Sequence, residues 1–132
     1  LFAGTGNISY EFASRGAEKI ICVDQDYGCV KFINQTSEAF KMPIQTIKTD
    51  VYKFLEKTNL QSNVIFADPP YGFADEQFSK IAELVFQNNL LLEDGLLIIE
   101  HSKHTNLSDQ MHFSYSKNYG GNVFSFFEIS KL

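Results

Sequence analysis

The amino-acid sequence predicts an α/β fold in which a mostly parallel sheet carries helices on both faces and ends in an antiparallel hairpin. Short apolar runs alternate with amphipathic helical patterns along most of the chain, and such repeats form parallel sheets. Near the end of the chain, polar and apolar residues alternate instead, as they do in a half-buried hairpin. With 132 residues, of which 44% are hydrophobic, the chain is predicted to form one domain, 1–132.

The first half of the chain reads as a helix followed by strand–helix repeats. Asn7 suits the N-cap of a helix over 7–15, and Gly16 is placed to end that helix. The apolar run 19–23 is typical of a strand buried on both faces, and it leads directly into Asp24. The elements predicted next are helix Tyr27–Phe40, strand Ile44–Lys48 after Pro43, and helix Val51–Lys57.

The second half continues the pattern before it changes. A buried strand over 63–67 precedes an amphipathic helix over 77–88, and a further strand over 95–99 ends at Glu100. Strict alternation over 111–117 predicts a strand with Met111, Phe113 and Tyr115 on one face. Gly120 and Gly121 then form a tight turn into a last strand over 122–129.

Charge and composition narrow the possible partners. The chain has 16 acidic and 11 basic residues, so its net charge is −5, and Arg15 is the only arginine. This is not the basic footprint of a strong nucleic-acid binder. The chain contains no run of 18 apolar residues, so no membrane-spanning helix is predicted. Cys22 and Cys29 are expected to be small buried residues in a reducing cytoplasm, without a disulfide.

A glycine-containing loop and an acidic residue suggest a nucleoside site. Gly4 and Gly6 allow a tight turn and a close approach of a ligand to the backbone. Asp24 ends the next strand and can accept hydrogen bonds from both ribose hydroxyls. Asp50 can accept a hydrogen bond from an adenine amino group, and a neighbouring backbone N–H can serve the base instead. Asp50 can also cap the following helix, and the two roles are compatible. The third glycine of a dinucleotide fingerprint is missing, because Ser9 stands there.

The Asp68-Pro69-Pro70-Tyr71 segment is the most specific motif in the chain. The two prolines fix the backbone and remove two N–H donors, which leaves an extended corner that presents acceptors. The Asp68 carboxylate and a proline carbonyl match the two N–H groups of a planar amino group. Tyr71 offers a ring for stacking on a base. The ordinary alternative is a turn at the end of a strand.

These motifs resemble a family of bacterial enzymes, the RsmD family of class I S-adenosylmethionine-dependent methyltransferases. The segments that carry the resemblance are 1–7, 14–17, 23–26, 68–71 and 117–123. The resemblance implies methylation of a guanine N2 in 16S ribosomal RNA on a Rossmann-like fold with a seven-stranded sheet. It also implies that an upstream segment is missing, because the chain opens directly on the glycine loop. Ribosomal RNA or the small ribosomal subunit would then be bound partly by that segment.

The resulting prediction is a cytoplasmic, monomeric methyltransferase without a metal. The predicted catalytic residues are Asp68, Pro69, Pro70 and Tyr71. The predicted residues for S-adenosylmethionine are Phe2, Ala3, Gly4, Thr5, Gly6, Asn7, Asp24, Gln25, Asp50, Val51 and Asp68. The alternatives are a DNA adenine or cytosine amino-methyltransferase, an NAD-type oxidoreductase and a non-catalytic cofactor-binding module.

Histidines and lysines late in the chain are weaker signals. His101 and His104 have a spacing that can hold a metal on a helix, but they follow a strand and are expected to be solvated loop residues. Lys103 and Lys117 could touch phosphates, although two lysines make a weak patch.

Overall fold

A computed structural model describes residues 1–4, 6, 19–69 and 74–129. The chain forms two compact units, 1–54 and 55–132, whose boundary falls inside a helix. The helix expected over 7–15 lies outside the described residues, and the one-domain interpretation stays a prediction. The elements are β1 (Ile20–Asp24), α1 (Tyr27–Phe40), β2 (Ile44–Lys48), α2 (Val51–Lys57), β3 (Ser62–Ala67), α3 (Asp75–Gln87), β4 (Leu91–Ser102), β5 (Phe113–Tyr119) and β6 (Asn122–Glu128).

The first unit contains a parallel pair of strands joined by a helix. β1 and β2 run in register from the Ile20–Ile44 pair to the Asp24–Lys48 pair, as expected for a strand–helix–strand repeat. The Asp26 side chain caps α1 by accepting the Gly28 N–H at 3.1 Å. The core residues of this unit are Cys22, Val23, Val30, Ile33 and Val51. Cys29 is only half-buried, so the expectation of two buried cysteines holds for Cys22 alone.

The second unit contains a four-stranded mixed sheet with the order β3–β4–β6–β5. β3 and β4 are parallel, whereas β4–β6 and β5–β6 are antiparallel. The expected seven-stranded, mostly parallel sheet is therefore wrong for the described residues, which contain six strands in two sheets. The two-residue turn between β5 and β6 can join only antiparallel strands. Because β6 also pairs with β4, the hairpin adds two antiparallel pairings to the sheet. Residues 1–3 form no strand, although the Ala3 N–H donates to the Val23 carbonyl at 3.1 Å.

One face of this sheet forms the core of the second unit. Helix α3 buries the apolar stripe that the sequence predicts, including Phe78, Ile81, Ala82 and Val85. The opposing strand positions are Leu97, Ile99 and His101 on β4, with Ser125 and Phe127 on β6, all buried. The Phe78 and His101 rings meet edge to face, with their centroids 6.0 Å apart.

Strand β4 is longer than the predicted 95–99. It begins at Leu91 and continues past Gly95, although Asp94 has a positive φ of 64° and the β3 register shifts between Ser62 and Val64. The Glu93-Asp94-Gly95 sequence has the composition of a turn, which is why the prediction placed the strand's start too late. In this structure these residues lie at an irregularity inside β4 and do not form a turn before it.

A β-bulge changes the faces of the hairpin. Phe113 lies opposite Phe127, and Tyr115 lies opposite Phe126, so Ser114 is the extra residue. Because Phe126 and Phe127 point to opposite faces, Phe113 and Tyr115 do so as well, and the predicted shared face is wrong. Met111 precedes the strand and is 79% exposed. The tight turn at Gly120 and Gly121 is confirmed.

Candidate functional site

The glycine loop of the first unit forms a tight turn. The Gly6 N–H donates to the Ala3 carbonyl at 2.9 Å, and Gly4 has a φ of 58°, a conformation that favours glycine. A Cβ atom built on Gly4 would meet no atom of the described residues within 4 Å, so these residues leave the space beside this backbone open. Phe2 precedes the turn, and its ring meets Tyr52 edge to face at 6.4 Å.

The Asp24 carboxylate connects this turn to the end of β1. Its Oδ2 accepts the Gly4 N–H at 2.9 Å, and its Oδ1 accepts the Asp26 N–H at 2.8 Å. One backbone bond on each oxygen fixes the orientation of the carboxylate. Each oxygen retains a lone pair that can accept a further donor. Gln25, the next residue, is exposed.

Asp50 is the N-cap of α2. Its Oδ1 accepts the N–H groups of Tyr52 at 2.9 Å and of Lys53 at 3.2 Å. The capping role therefore uses one of the two carboxylate oxygens. Burial and, secondly, the Asp50 charge raise the pKa of Tyr52 to about 12, so its hydroxyl keeps its proton at neutral pH. Val51 is buried as the first helical residue.

A second group of polar residues lies in the second unit, where β3 ends. Asp68 follows β3 directly, and its side chain is hydrogen-bonded to that of Glu100 on the neighbouring parallel strand β4. The Asn122 Nδ2 at the start of β6 donates to Glu100 Oε2 at 3.1 Å. Pro69 is buried beside this group. Three strands thus bring two carboxyls and an amide together.

Sequence reasoning included Asp68 but missed Glu100 and Asn122. The available signal for Glu100 was that it also follows an apolar strand stretch, as Asp68 does. Asn122 had no such signal, because its position depends on β6 pairing with β4. Thr5, Asn7, Pro70 and Tyr71 lie outside the described residues, so their predicted roles stay predictions.

The surroundings of the two carboxyls shift both of their pKa values upward. Burial raises the pKa of Glu100 first, and the negative charge of Asp68 raises it further. Asp68 is exposed as a whole residue, yet atoms packed around its carboxylate exclude enough water to raise its pKa. The hydrogen bond from Glu100 acts in the opposite direction on Asp68.

His101 and His104 differ from the expected solvated loop residues. His101 lies in β4 and is buried on the face that packs against α3, with Nε2 2.6 Å from Ser125 Oγ. Only His104 is exposed in a turn. The error arose because β4 extends two residues beyond Glu100. Within residues 1–4, 6, 19–69 and 74–129, no group of three or more potential ligands could hold a metal.

Of the two lysines considered, Lys103 is exposed after β4. Lys117 on β5 places its ammonium 5.8 Å from the centroid of the Tyr115 ring, which is a cation–π geometry. None of the helices that the structure describes is long and apolar enough to cross a bilayer.

Solved structures of methyltransferases share this α/β fold. A protein from Escherichia coli, described provisionally as a methyltransferase, superposes with a TM-score of 0.85 at 20% identity and covers 96% of this chain and 72% of its own. A methyltransferase from Geobacter sulfurreducens has a TM-score of 0.70 at 17% identity, over 96% of this chain and 68% of its own. At these identities the likeness shows the fold alone.

The sequence comparison defines the family. Residues 1–128 match the family described as Conserved hypothetical protein 95, so the chain belongs to that family, in which the RsmD-type proteins fall. The Bacillus subtilis protein YlbH, described provisionally as an rRNA methyltransferase, is 28% identical over 83% of this chain. The ribosomal RNA small subunit methyltransferase D of Haemophilus influenzae is 28% identical over 77% of this chain. This chain spans 61% of the former and 54% of the latter.

Proposed function

We propose that this chain is the catalytic core of a cytoplasmic, S-adenosylmethionine-dependent methyltransferase that modifies guanine N2 in small-subunit ribosomal RNA. The observation that carries the proposal is the Asp68 carboxylate, which stands where β3 ends and directly before Pro69. Family membership supports the reaction class, and relatives named ribosomal RNA small subunit methyltransferase D support the substrate. The finer choice of guanine N2 comes from the resemblance to the RsmD family, because the motif's fit to an amino group suits adenine and cytosine as well.

The first unit fits the nucleoside part of S-adenosylmethionine. Asp24 retains acceptor capacity on both oxygens, which suits two ribose hydroxyls. Asp50 caps α2 through Oδ1 alone, and the open space beside Gly4 admits a ligand close to the backbone. Phe2, Ala3, Gly6, Gln25 and Val51 are proposed as the surrounding contacts, together with Thr5 and Asn7. When bound, S-adenosylmethionine supplies an electrophilic methyl group and needs no metal.

The second unit supplies the acceptors for the amino group that is methylated. The Asp68 carboxylate and the Pro69 carbonyl each accept one N–H of the guanine amino group. Holding both hydrogens favours a more tetrahedral nitrogen with its lone pair directed away from the acceptors. The carboxylate also stabilises the positive charge that develops on nitrogen, and it can receive the released proton. Pro70 and Tyr71 are proposed to stiffen this corner and to stack on the base.

Methyl transfer by the intact protein tests this function directly. We expect labelled methyl groups in guanine of naked ribosomal RNA or of free small subunits, and none in DNA. Asp68→Ala should lower the rate by about 100- to 1,000-fold, because a charge-stabilising acceptor is lost. Asp109→Ala, which removes an exposed loop aspartate, is the matched control. Labelled adenine or cytosine in DNA would support the amino-methyltransferase alternative instead.

Cofactor calorimetry separates the two halves of the proposal. Asp24→Ala should weaken S-adenosylmethionine binding by about 10- to 100-fold, the value of one or two hydrogen bonds to a charged group. Asp68→Ala should change this affinity much less. Binding of NAD in preference to S-adenosylmethionine would contradict the proposal and support an oxidoreductase.

A further inference from the structure

Glu100 is a second carboxyl beside Asp68 that the proposed reaction leaves without a role. The parallel pairing of Ala67 with Ile99 makes Asp68 and Glu100 the next residues along two adjacent strands. Their side chains are hydrogen-bonded to each other. Two carboxyl groups can form this bond only when one of them holds a proton, because an ionised carboxylate has no donor. When they share this bond, the pair holds one proton and one negative charge.

Asn122 shows which member of the pair is held in place. Its Nδ2 donates to Glu100 Oε2 at 3.1 Å, across the antiparallel β4–β6 pairing. This amide donor orients the Glu100 carboxyl and lowers its pKa, which offsets part of the upward shift caused by burial and by Asp68. Glu100 is thus held on two sides, by Asn122 and by Asp68, whereas Asp68 stands at the exposed end of its strand.

The causes of the two pKa shifts favour the proton on Glu100 and the charge on Asp68. Burial raises the pKa of Glu100, and the neighbouring Asp68 charge raises it again. Burial also raises the pKa of Asp68, but the bond donated by Glu100 opposes this shift. The hydrogen bond consequently favours a neutral Glu100 that donates to an ionised Asp68.

We propose that Glu100 is a positioning residue for the reaction, which donates its proton to the Asp68 carboxylate and so fixes the acceptor for the guanine amino group. This inference rests on the proposed function. Asn122 orients Glu100 through its hydrogen bond and does not contact the substrate in this scheme. The Glu100 bond favours an ionised Asp68, which accepts one N–H of the amino group while the Pro69 carbonyl accepts the other.

Few other charged groups share this face of the second unit. Asp68 directly follows β3, Lys117 on β5 has its ammonium near the Tyr115 ring, and Glu128 ends β6 opposite Leu96, four strand positions from Glu100. Asn122 and Phe124 are the β6 residues nearest to Glu100, and neither titrates. His101 points to the opposite face, where it meets α3. In the described part of this unit, Asp68 is therefore the charge that acts most directly on Glu100.

Substitutions at Glu100 separate a positioning role from a merely structural one. Glu100→Gln keeps a neutral donor for Asp68 and an acceptor for Asn122, so kcat should stay within about 3-fold of the unmodified protein. Glu100→Ala should lower kcat by about 100-fold through a misplaced acceptor, with KM for S-adenosylmethionine nearly unchanged. Glu93→Gln, at an exposed position of the same strand, is the matched control.

The pH profile supplies a readout that a structural role would not move. As pH rises above the ordinary glutamate pKa of 4.5 and through the raised value, Glu100 loses its proton and repels Asp68. The rate of the unmodified protein should then fall on the alkaline side, whereas Glu100→Gln should keep its rate. Parallel profiles for the two proteins, or a Glu100→Ala variant as active as Glu93→Gln, would overturn the inference.

A titration without any substrate keeps the two proposals distinguishable. With carbon-13-labelled carboxyls, the Asp68 signal should show two inflections in the unmodified protein and one in Glu100→Gln, because coupled groups titrate together. Asn122→Ala, which leaves both carboxyls intact, should weaken this coupling without removing it. A single inflection in the unmodified protein overturns the inference even if RNA is methylated. Two inflections without methyl transfer to any nucleic acid contradict the proposed function instead.

Discussion

Ser125→Ala should destabilise the second unit because it removes the partner of a buried histidine nitrogen. His101 Nδ1 lies 2.8 Å from the Ser102 carbonyl oxygen, which can only accept, so this nitrogen carries the hydrogen. In the neutral ring Nε2 is then an acceptor, and the Ser125 hydroxyl donates to it at 2.6 Å. Alanine leaves this acceptor without a donor on the face that packs against α3.

The expected magnitude follows from the burial of both groups. His101 is 6% exposed and Ser125 is 1% exposed, so water does not readily replace the lost hydroxyl. An unsatisfied buried polar atom costs about 1–3 kcal/mol of the free energy of unfolding. Urea denaturation of the intact protein measures this difference. The matched control is Ser116→Ala, which lies opposite Ser125 on β5 but is exposed and should change stability by less than about 0.5 kcal/mol.

A double-mutant cycle tests the reasoning further. When His101→Phe accompanies Ser125→Ala, no polar atom is left unpaired, and an apolar ring still faces Phe78. The double variant should therefore be more stable than the sum of the two single effects predicts, by about 0.5–3 kcal/mol. Additive effects, or a Ser125→Ala variant as stable as Ser116→Ala, would refute the assigned hydrogen bond.

Two further substitutions test a close backbone contact in β4 and the N-cap of α2, with urea denaturation as the measurement. Gly95→Ala should destabilise by about 1–3 kcal/mol, because its Cβ would lie 2.7 Å from the Leu92 carbonyl oxygen and 3.2 Å from that of Asn63. Gly121→Ala, whose Cβ meets nothing within 4 Å, is its control, and equal effects would contradict the predicted clash. Asp50→Ala should cost about 0.5–2 kcal/mol through loss of the α2 cap, and Asp50→Ser should recover most of it. If serine fails to recover stability, capping is not the reason for the loss.

Local periodicity was enough to predict several elements of the fold. The bounds of α1, β2 and α2 agree with the sequence pattern, since each is a short, continuous apolar or amphipathic stretch with a clear start. The sequence pattern also predicted which residues form the buried stripe of α3. The strand β4 was not, because Asp94 and Gly95 have turn composition but lie inside the strand. Composition identifies the residues of a turn, whereas pairing with β3 determines whether the chain turns there.

The hairpin shows a second limit of periodicity. Alternation correctly indicated two strands around Gly120 and Gly121, but it placed Phe113 and Tyr115 on one face. The bulge at Ser114 reverses the alternation between them, and only the pairing with β6 reveals it. Likewise, His101 was expected in a loop because nothing local indicated that β4 continues to Ser102.

The sequence by itself determined where the strand-end carboxylates stand along the chain and which chemistry they suit. Asp24, Asp50 and Asp68 each follow an apolar run, and that placement is a local property of the chain. The tertiary structure alone decided that Glu100 and Asn122 join Asp68, because this depends on β3 pairing with β4 and on β6 lying beside β4. Contacts between strands distant in the sequence leave no periodic signal, and it is these contacts that bring the Asp68 and Glu100 carboxyls together.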